Sequence, residues 1–165
     1  SAAPPLRLGR RGYDELIEAV FIANLVPFIA FLLQRNDPVI LLVELTLPLT
    51  LVYLACKIAL EFKDYGFDIT HGRENLIVRL GWQKAVVIHN LLLLAAFLLF
   101  GVFFFLGLAW SLTWPLLLAL PVAGLQILHL QRITEGIRPK WAYLRWLASG
   151  LFLILVYLEV ISLWF

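Results

Sequence analysis

The sequence predicts an all-α protein that spans a membrane as a bundle of helices. Its 165 residues are 62% hydrophobic and 15% charged, with a mean hydropathy of +0.92. Soluble domains are about 45–50% apolar and about 25% charged, so this composition excludes a soluble domain. No apolar stretch shows the two-residue alternation of a barrel strand. The net charge of +2 gives no indication of nucleic-acid binding.

Five apolar stretches are long enough to cross a bilayer, whose hydrocarbon core needs about 20 helical residues. Asp37 is placed to cap the second stretch, and Pro38 lies in its first turn. We find no internal repeat or low-complexity linker, so residues 1–165 are expected to form one transmembrane domain. The predicted spans are Leu16–Leu33, Val39–Leu60, Ala85–Leu108, Thr113–Leu130 and Trp141–Phe165.

Basic residues concentrate on one side of these spans. Of the 13 Lys and Arg residues, eleven lie in the N-terminal segment, in the charged loop 61–84 and in or next to the charged loop 131–140. Arg35 alone lies on the opposite side. Cytoplasmic loops carry the excess of Lys and Arg, so the N-terminus and both charged loops are expected in the cytoplasm.

The loop 61–84 contains two carboxylates with metal-ligand spacing. Asp64 and Asp68 are four residues apart, and would lie about 6 Å apart on one face if the second helix continued through them. Two such carboxylates can hold Mg²⁺, which keeps its other positions for water or phosphate. Lys63 and Arg73 flank the pair and could contact phosphate oxygens. The alternative is a solvated loop whose charges face water.

Three further polar residues lie near this pair. Lys57 and Glu61 are four residues apart, so they could pair with each other or face the same cavity as Asp64. His71 follows in the loop and could accept a proton. Cys56 is the only cysteine, which excludes an internal disulfide and a cysteine-based metal site.

Residues 64–81 resemble the second aspartate-rich motif of the UbiA superfamily of intramembrane prenyltransferases. That motif reads D-x-x-x-D-x-x-x-G-(K/R)-x-(T/S)-L-x-V-x-x-G and follows the sixth of nine helices. Asn75 stands where the family has Thr or Ser, and Gly12–Glu15 is similar to a segment before the fifth helix of quinone-type members. The resemblance implies the C-terminal part of the UbiA fold, helices five to nine. The matching positions are Asp64, Asp68, Gly72, Arg73, Leu76, Val78 and Gly81.

The resemblance also implies an activity, the Mg²⁺-dependent transfer of a polyprenyl group from polyprenyl diphosphate to an acceptor, with a quinone-precursor ring as the acceptor. It makes Asp64 and Asp68 the metal ligands through Mg²⁺. Lys63 and Arg73 become diphosphate contacts, and Tyr65 lines the region where an allylic carbocation develops.

The first aspartate-rich motif of the family does not occur in this sequence, which contains no methionine and begins at Ser1. We therefore expect the chain to be the C-terminal part of a longer prenyltransferase. The alternative is a non-catalytic UbiA-like subunit that packs against other subunits in a larger photosynthetic or respiratory membrane complex.

Overall fold

The computed structural model describes residues 14–25, 29, 40–73, 75–107 and 110–164, and every regular element in these ranges is helical. Within them, four helices are long and apolar enough to cross a membrane, which confirms a multi-pass α-helical membrane protein. The first predicted span, Leu16–Leu33, lies only partly within the described residues. Asp37, Pro38 and Phe165 lie outside them. The four helices are Leu42–Thr70, Trp82–Leu106, Trp110–Thr134 and Trp141–Ser162.

From Ile40 onward, the described elements follow one another with connections of at most six residues. Helix α1 leads directly into a π-helical turn, Phe21–Leu25. A 3₁₀ turn, Phe62–Asp64, joins α2 to α3. The helices are α1 (Asp14–Val20), α2 (Ile40–Glu61), α3 (Tyr65–Thr70), α4 (Leu76–Leu80), α5 (Trp82–Leu106), α6 (Trp110–Leu117), α7 (Leu120–Thr134) and α8 (Trp141–Trp164).

Helix α2 is the centre of the bundle. In the most apolar 18-residue window of its span, 61% of the residues are buried, against 28% in the spans of α5 and of α8. It packs against α1, α5 and α8. Val52 and Ala55 of α2 are fully buried with Phe100 of α5 and Leu155 of α8. The other helices therefore leave most of their apolar surface for lipid.

The predicted fourth span lies within one membrane-crossing segment, Trp110–Thr134, which consists of two helices in series with a turn between them. Thr113–Leu130 was expected to be one helix, but α6 ends at Leu117 and the chain turns at residues 118–119 before α7 begins. The amide of Ala119 bonds to the carbonyl of Leu116, the tighter spacing of a turn. Pro121 explains the break, because it has no N–H to bond four residues back and its ring would clash with the carbonyl there.

Both charged connections, which were predicted as loops, contain helical segments. In 61–84, α3 and α4 form because the segment has an apolar side: Phe62 and Ile77 are almost fully buried against the bundle. Gly81 joins α4 to α5 with a φ of +80°, a conformation that favours glycine. In 131–140, α7 continues to Thr134, and the non-helical part is limited to residues 135–140.

Polar side chains within the bundle pair with one another. Asn24 in the π-helical turn donates to Thr50 and accepts from Thr46, which ties it to α2. His89 of α5 and Gln126 of α7 are fully buried, with 2.9 Å between their Nε2 atoms. Such bonds between helices hold polar groups that would otherwise be unsatisfied in lipid.

Candidate functional site

Asp68 is the buried acid of the predicted pair. It lies in α3, and only 5% of its surface is exposed. Its Oδ2 accepts a hydrogen bond from Nδ2 of Asn75 at 2.8 Å. Its Oδ1 is also buried, and makes no hydrogen bond within the part of the chain that the structure describes. A buried carboxylate oxygen without a donor costs free energy unless a ligand occupies it.

Asn75 holds this acid in place. Its Oδ1 accepts from the amide of Val78 at 2.8 Å, and so caps the N-terminus of α4, while its Nδ2 donates to Asp68. The amide of Arg73 also bonds to the carbonyl of Asp68 at 2.9 Å. Asp68 is therefore held at its carboxylate by the side chain of Asn75 and at its carbonyl by the backbone amide of Arg73. Sequence reasoning treated Asn75 only as a departure from the family pattern.

Asp64 differs from Asp68 in its surroundings. It lies at the junction of the 3₁₀ turn and α3, so the helix is not continuous in α geometry as the predicted spacing assumed. Its side chain is 54% exposed, and an oxygen lies 3.7 Å from Nζ of Lys63, which is 57% exposed. Screening by water leaves such a pair weak. The two carboxylates belong to one short segment, but only Asp68 is buried.

Arg73 lies beside the buried acid. Its guanidinium is 3.7 Å from Oδ1 of Asp68 and 71% exposed. It also lies over the ring of Phe67, 5.7 Å from the centroid. The ring of His71 stacks on the same Phe67 at 3.8 Å and is exposed. Arg73 thus reaches from the acid to the surface, and the exposed ring of His71 lies on Phe67, the other partner of Arg73.

Tyr65 packs in an aromatic cluster. Its hydroxyl accepts from the amide of Trp82 at 3.3 Å, and the two rings meet edge to face at 5.6 Å. Trp82 also contacts Phe62 and Trp141. These contacts anchor α3 to the start of α5, and the place of Tyr65 beside a reacting carbon stays a prediction.

Lys57 pairs with a residue that the sequence did not indicate. Its Nζ lies 2.8 Å from Glu18 of α1, and Glu18 also accepts from the hydroxyl of Tyr53 at 2.8 Å. Lys57 thus links α2 to α1, a contact beyond those that its spacing from Glu61 suggested. Glu61, the last residue of α2, is half-buried. Only tertiary packing could bring Glu18 to Lys57, which is 39 positions further along the chain.

Lys63 also lines a groove of about 350 Å³ between the end of α2 and the start of α8. Arg145 is the second cation of this groove, which we call the α2–α8 groove. Sequence reasoning counted Arg145 only for membrane orientation. Its position four residues after Trp141, on the first turns of α8, was the available signal. The lining residues are Ala59, Leu60, Lys63, Trp141, Ala142 and Arg145.

The donor set fits part of a magnesium site. Among the described residues, no group of three His, Cys, Asp or Glu side chains gathers closely enough to hold a metal alone. Mg²⁺, however, is usually bound by one or two carboxylates with water and substrate phosphates. The buried Oδ1 of Asp68, which makes no hydrogen bond in the described residues but lies 3.7 Å from the Arg73 guanidinium, is such an oxygen, and Asp64 lies one turn earlier.

Comparison with protein families agrees with the motif. The model of the UbiA prenyltransferase family matches residues 3–156. Comparison with curated proteins and with solved structures gave no match. The family match covers nearly the whole sequence, including all of the Asp64–Gly81 motif, and it agrees with the helical membrane architecture. This chain is a member of the UbiA prenyltransferase family.

Proposed function

We propose that the protein takes part in the Mg²⁺-dependent transfer of a polyprenyl group from polyprenyl diphosphate to an acceptor. Family membership supports prenyl transfer in general. The single observation that carries the finer proposal is Asp68, a buried carboxylate with one oxygen held by Asn75 and the other without a hydrogen bond in the described residues. That second oxygen faces only the exposed guanidinium of Arg73, at 3.7 Å, so a metal ion could bind it if Arg73 turned toward the diphosphate.

In this proposal, Asp64 and Asp68 hold the metal, which when bound neutralises charge on the departing diphosphate. Lys63 and Arg73 contact the diphosphate oxygens, Lys63 as a point charge and Arg73 as a planar fork. Arg73 suits this task because it lies beside Asp68 yet remains exposed. Arg145 adds a second cation beside Lys63 in the α2–α8 groove.

In this proposal, the apolar helices bind the polyprenyl tail. Polyprenyl tails are hydrocarbon, and the helices next to the site are among the most apolar parts of the chain. An apolar surrounding also keeps water from an allylic cation before the acceptor reacts with it. A quinone-precursor ring is the acceptor we propose, on the similarity of Gly12–Glu15 to quinone-type members.

The test uses membranes that contain the full protein. Release of diphosphate from a polyprenyl diphosphate is measured with a hydroxybenzoate acceptor, in Mg²⁺ and in excess EDTA. Asp68→Asn keeps the shape and an acceptor for Asn75 but loses the charge, so we expect the rate to fall about 100-fold or more. Glu135→Gln is the matched control, since Glu135 is an exposed acid in the other connection.

The non-catalytic alternative makes the opposite prediction. In that alternative, the protein is a subunit of a larger membrane complex and has no transfer activity of its own. If the wild-type protein in its native membranes releases no diphosphate above the EDTA background, and copurifies with other membrane subunits, the enzymatic proposal is wrong. Equal rates for wild type and Asp68→Asn would also contradict it.

A further inference from the structure

A second groove, of about 300 Å³, lies at the end of α7 and the start of α8, away from the Asp68 site. We call it the α7–α8 groove. It opens where two membrane-crossing helices meet the connection 135–140. Its cations are Arg132, Arg138 and Lys140, and its other lining residues are His129, Ile133, Ile137 and Tyr143.

The charge of this groove is positive and not neutralised locally. Arg132, Arg138 and Lys140 are exposed, and none forms an ion pair with another described residue. Glu135, the acid of the same connection, is not among the lining residues. Three cations that converge on one groove without a carboxylate form a site for an anion with several oxygens, because each cation can donate to one of them.

His129 adds a donor from inside the groove. Its Nε2 is buried and makes no hydrogen bond to any residue in the described ranges. Its ring is held by an edge-to-face contact with Tyr143 at 5.0 Å. In the tautomer that carries its proton on Nε2, the imidazole can donate to a phosphate oxygen at this position.

The wall of the groove is apolar and continues along the membrane face of α7. Ile133 and Ile137 line it together with the cations. Leu128 and Leu125, four and seven residues before Arg132 on α7, are 53% and 48% exposed. Residues at such helical spacing lie on one side of α7, so an apolar surface leads from the lipid-facing part of the helix to the cations. A free inorganic anion would make no contact with this apolar surface, whereas an acyl chain would pack against it.

We propose that the α7–α8 groove binds the phosphate headgroup of an anionic phospholipid, with its acyl chains along the exposed side of α7. Basic clusters at the membrane surface attract anionic lipids, and basic pockets beside transmembrane helices bind their headgroups. The proposal is independent of the proposed function, because the groove shares no residue with the Asp64–Arg73 segment. The lipid would fix the turn between the last two helices.

The experiment compares two charge-matched variants of the full protein in nanodiscs of phosphatidylcholine with increasing phosphatidylglycerol. Arg138→Gln with Lys140→Gln removes two cations from the groove. Arg79→Gln with Lys84→Gln removes two exposed cations from the connection before α5. Native mass spectrometry counts the phosphatidylglycerol retained per protein, and circular dichroism checks that both variants keep their helix content.

A basic residue near the surface strengthens anionic-lipid binding about fivefold, so the groove variant is expected to bind phosphatidylglycerol about 25-fold more weakly. The control variant is expected to stay within about threefold of wild type, since diffuse attraction is screened beyond about 10 Å. Equal losses in both variants would show non-specific charge attraction and overturn the proposal.

Competition identifies the source of the phosphate. Soluble inorganic phosphate at ten times the lipid concentration is expected to leave the retained phosphatidylglycerol unchanged. Displacement by inorganic phosphate would show that the groove binds phosphate without a lipid, and would overturn the lipid assignment. Displacement by an equimolar polyprenyl diphosphate, but not by phosphatidylcholine, would make the groove a substrate contact and likewise overturn it.

Discussion

Replacing Asn75 by Ala is expected to loosen α4 and release Asp68 at the same time. The side chain of Asn75 makes two hydrogen bonds of 2.8 Å, one from the amide of Val78 and one to the Oδ2 of Asp68. Loss of the cap costs about 1 kcal/mol. Loss of a hydrogen bond to a buried charged group costs about 2 kcal/mol. Together these give about 3 kcal/mol, or roughly 150-fold in the opening equilibrium of α4.

Hydrogen exchange of the peptide that contains Leu76–Leu80 measures this opening directly. We expect Asn75→Ala to speed its exchange by about two orders of magnitude. Asn75→Ser is the informative partner, because its hydroxyl keeps an acceptor for the amide of Val78 but lacks the amide group that donates to Asp68. It should speed exchange about fivefold less than Asn75→Ala, because the cap is retained. Exchange within threefold of wild type for Asn75→Ala would refute the reasoning.

Three further perturbations test the packing around the site. Gly81→Ala is expected to destabilise the protein by about 1–3 kcal/mol, because φ at this position is +80°. Gly66→Ala is the control, since Gly66 lies in a helix with open space around it, and it should not destabilise the protein. Thermal unfolding compares the two variants. A double-mutant cycle with Glu18→Gln and Lys57→Gln should give a coupling of about 1 kcal/mol, given their distance of 2.8 Å; zero coupling would contradict that ion pair. Phe62→Ala empties a buried ring position against the bundle and should cost about 3–5 kcal/mol in the same unfolding assay.

The membrane helices could be predicted from the sequence because their signal is local. About 20 consecutive apolar residues suffice to indicate a span, and the predicted second, third and fifth spans overlap most of α2, α5 and α8. The third span ends at Leu106 rather than Leu108, since Gly107 adopts a φ of +121° and closes the helix. Pro121 could also have predicted the turn at residues 118–119, but the long apolar stretch around it favoured one uninterrupted helix.

The site could be predicted only in part. Spacing placed Asp64 and Asp68 together in one segment, but nothing in their spacing distinguishes an exposed acid from a buried one. That difference depends on how α3 and α4 pack together, as do the two bonds of Asn75. The partner of Lys57 was missed for the same reason, because Glu18 reaches it only through the packing of α1 on α2.

Binding of a divalent ion to Asp68 is the central claim, and electron paramagnetic resonance of Mn²⁺ tests it most directly. Mn²⁺ replaces Mg²⁺ at oxygen sites, and its free form gives a distinct signal. Without added diphosphate, which itself binds Mn²⁺, we expect the full wild-type protein and Glu135→Gln to reduce the free Mn²⁺ signal, and Asp68→Asn to leave it unchanged. Equal binding by Asp68→Asn would contradict the account.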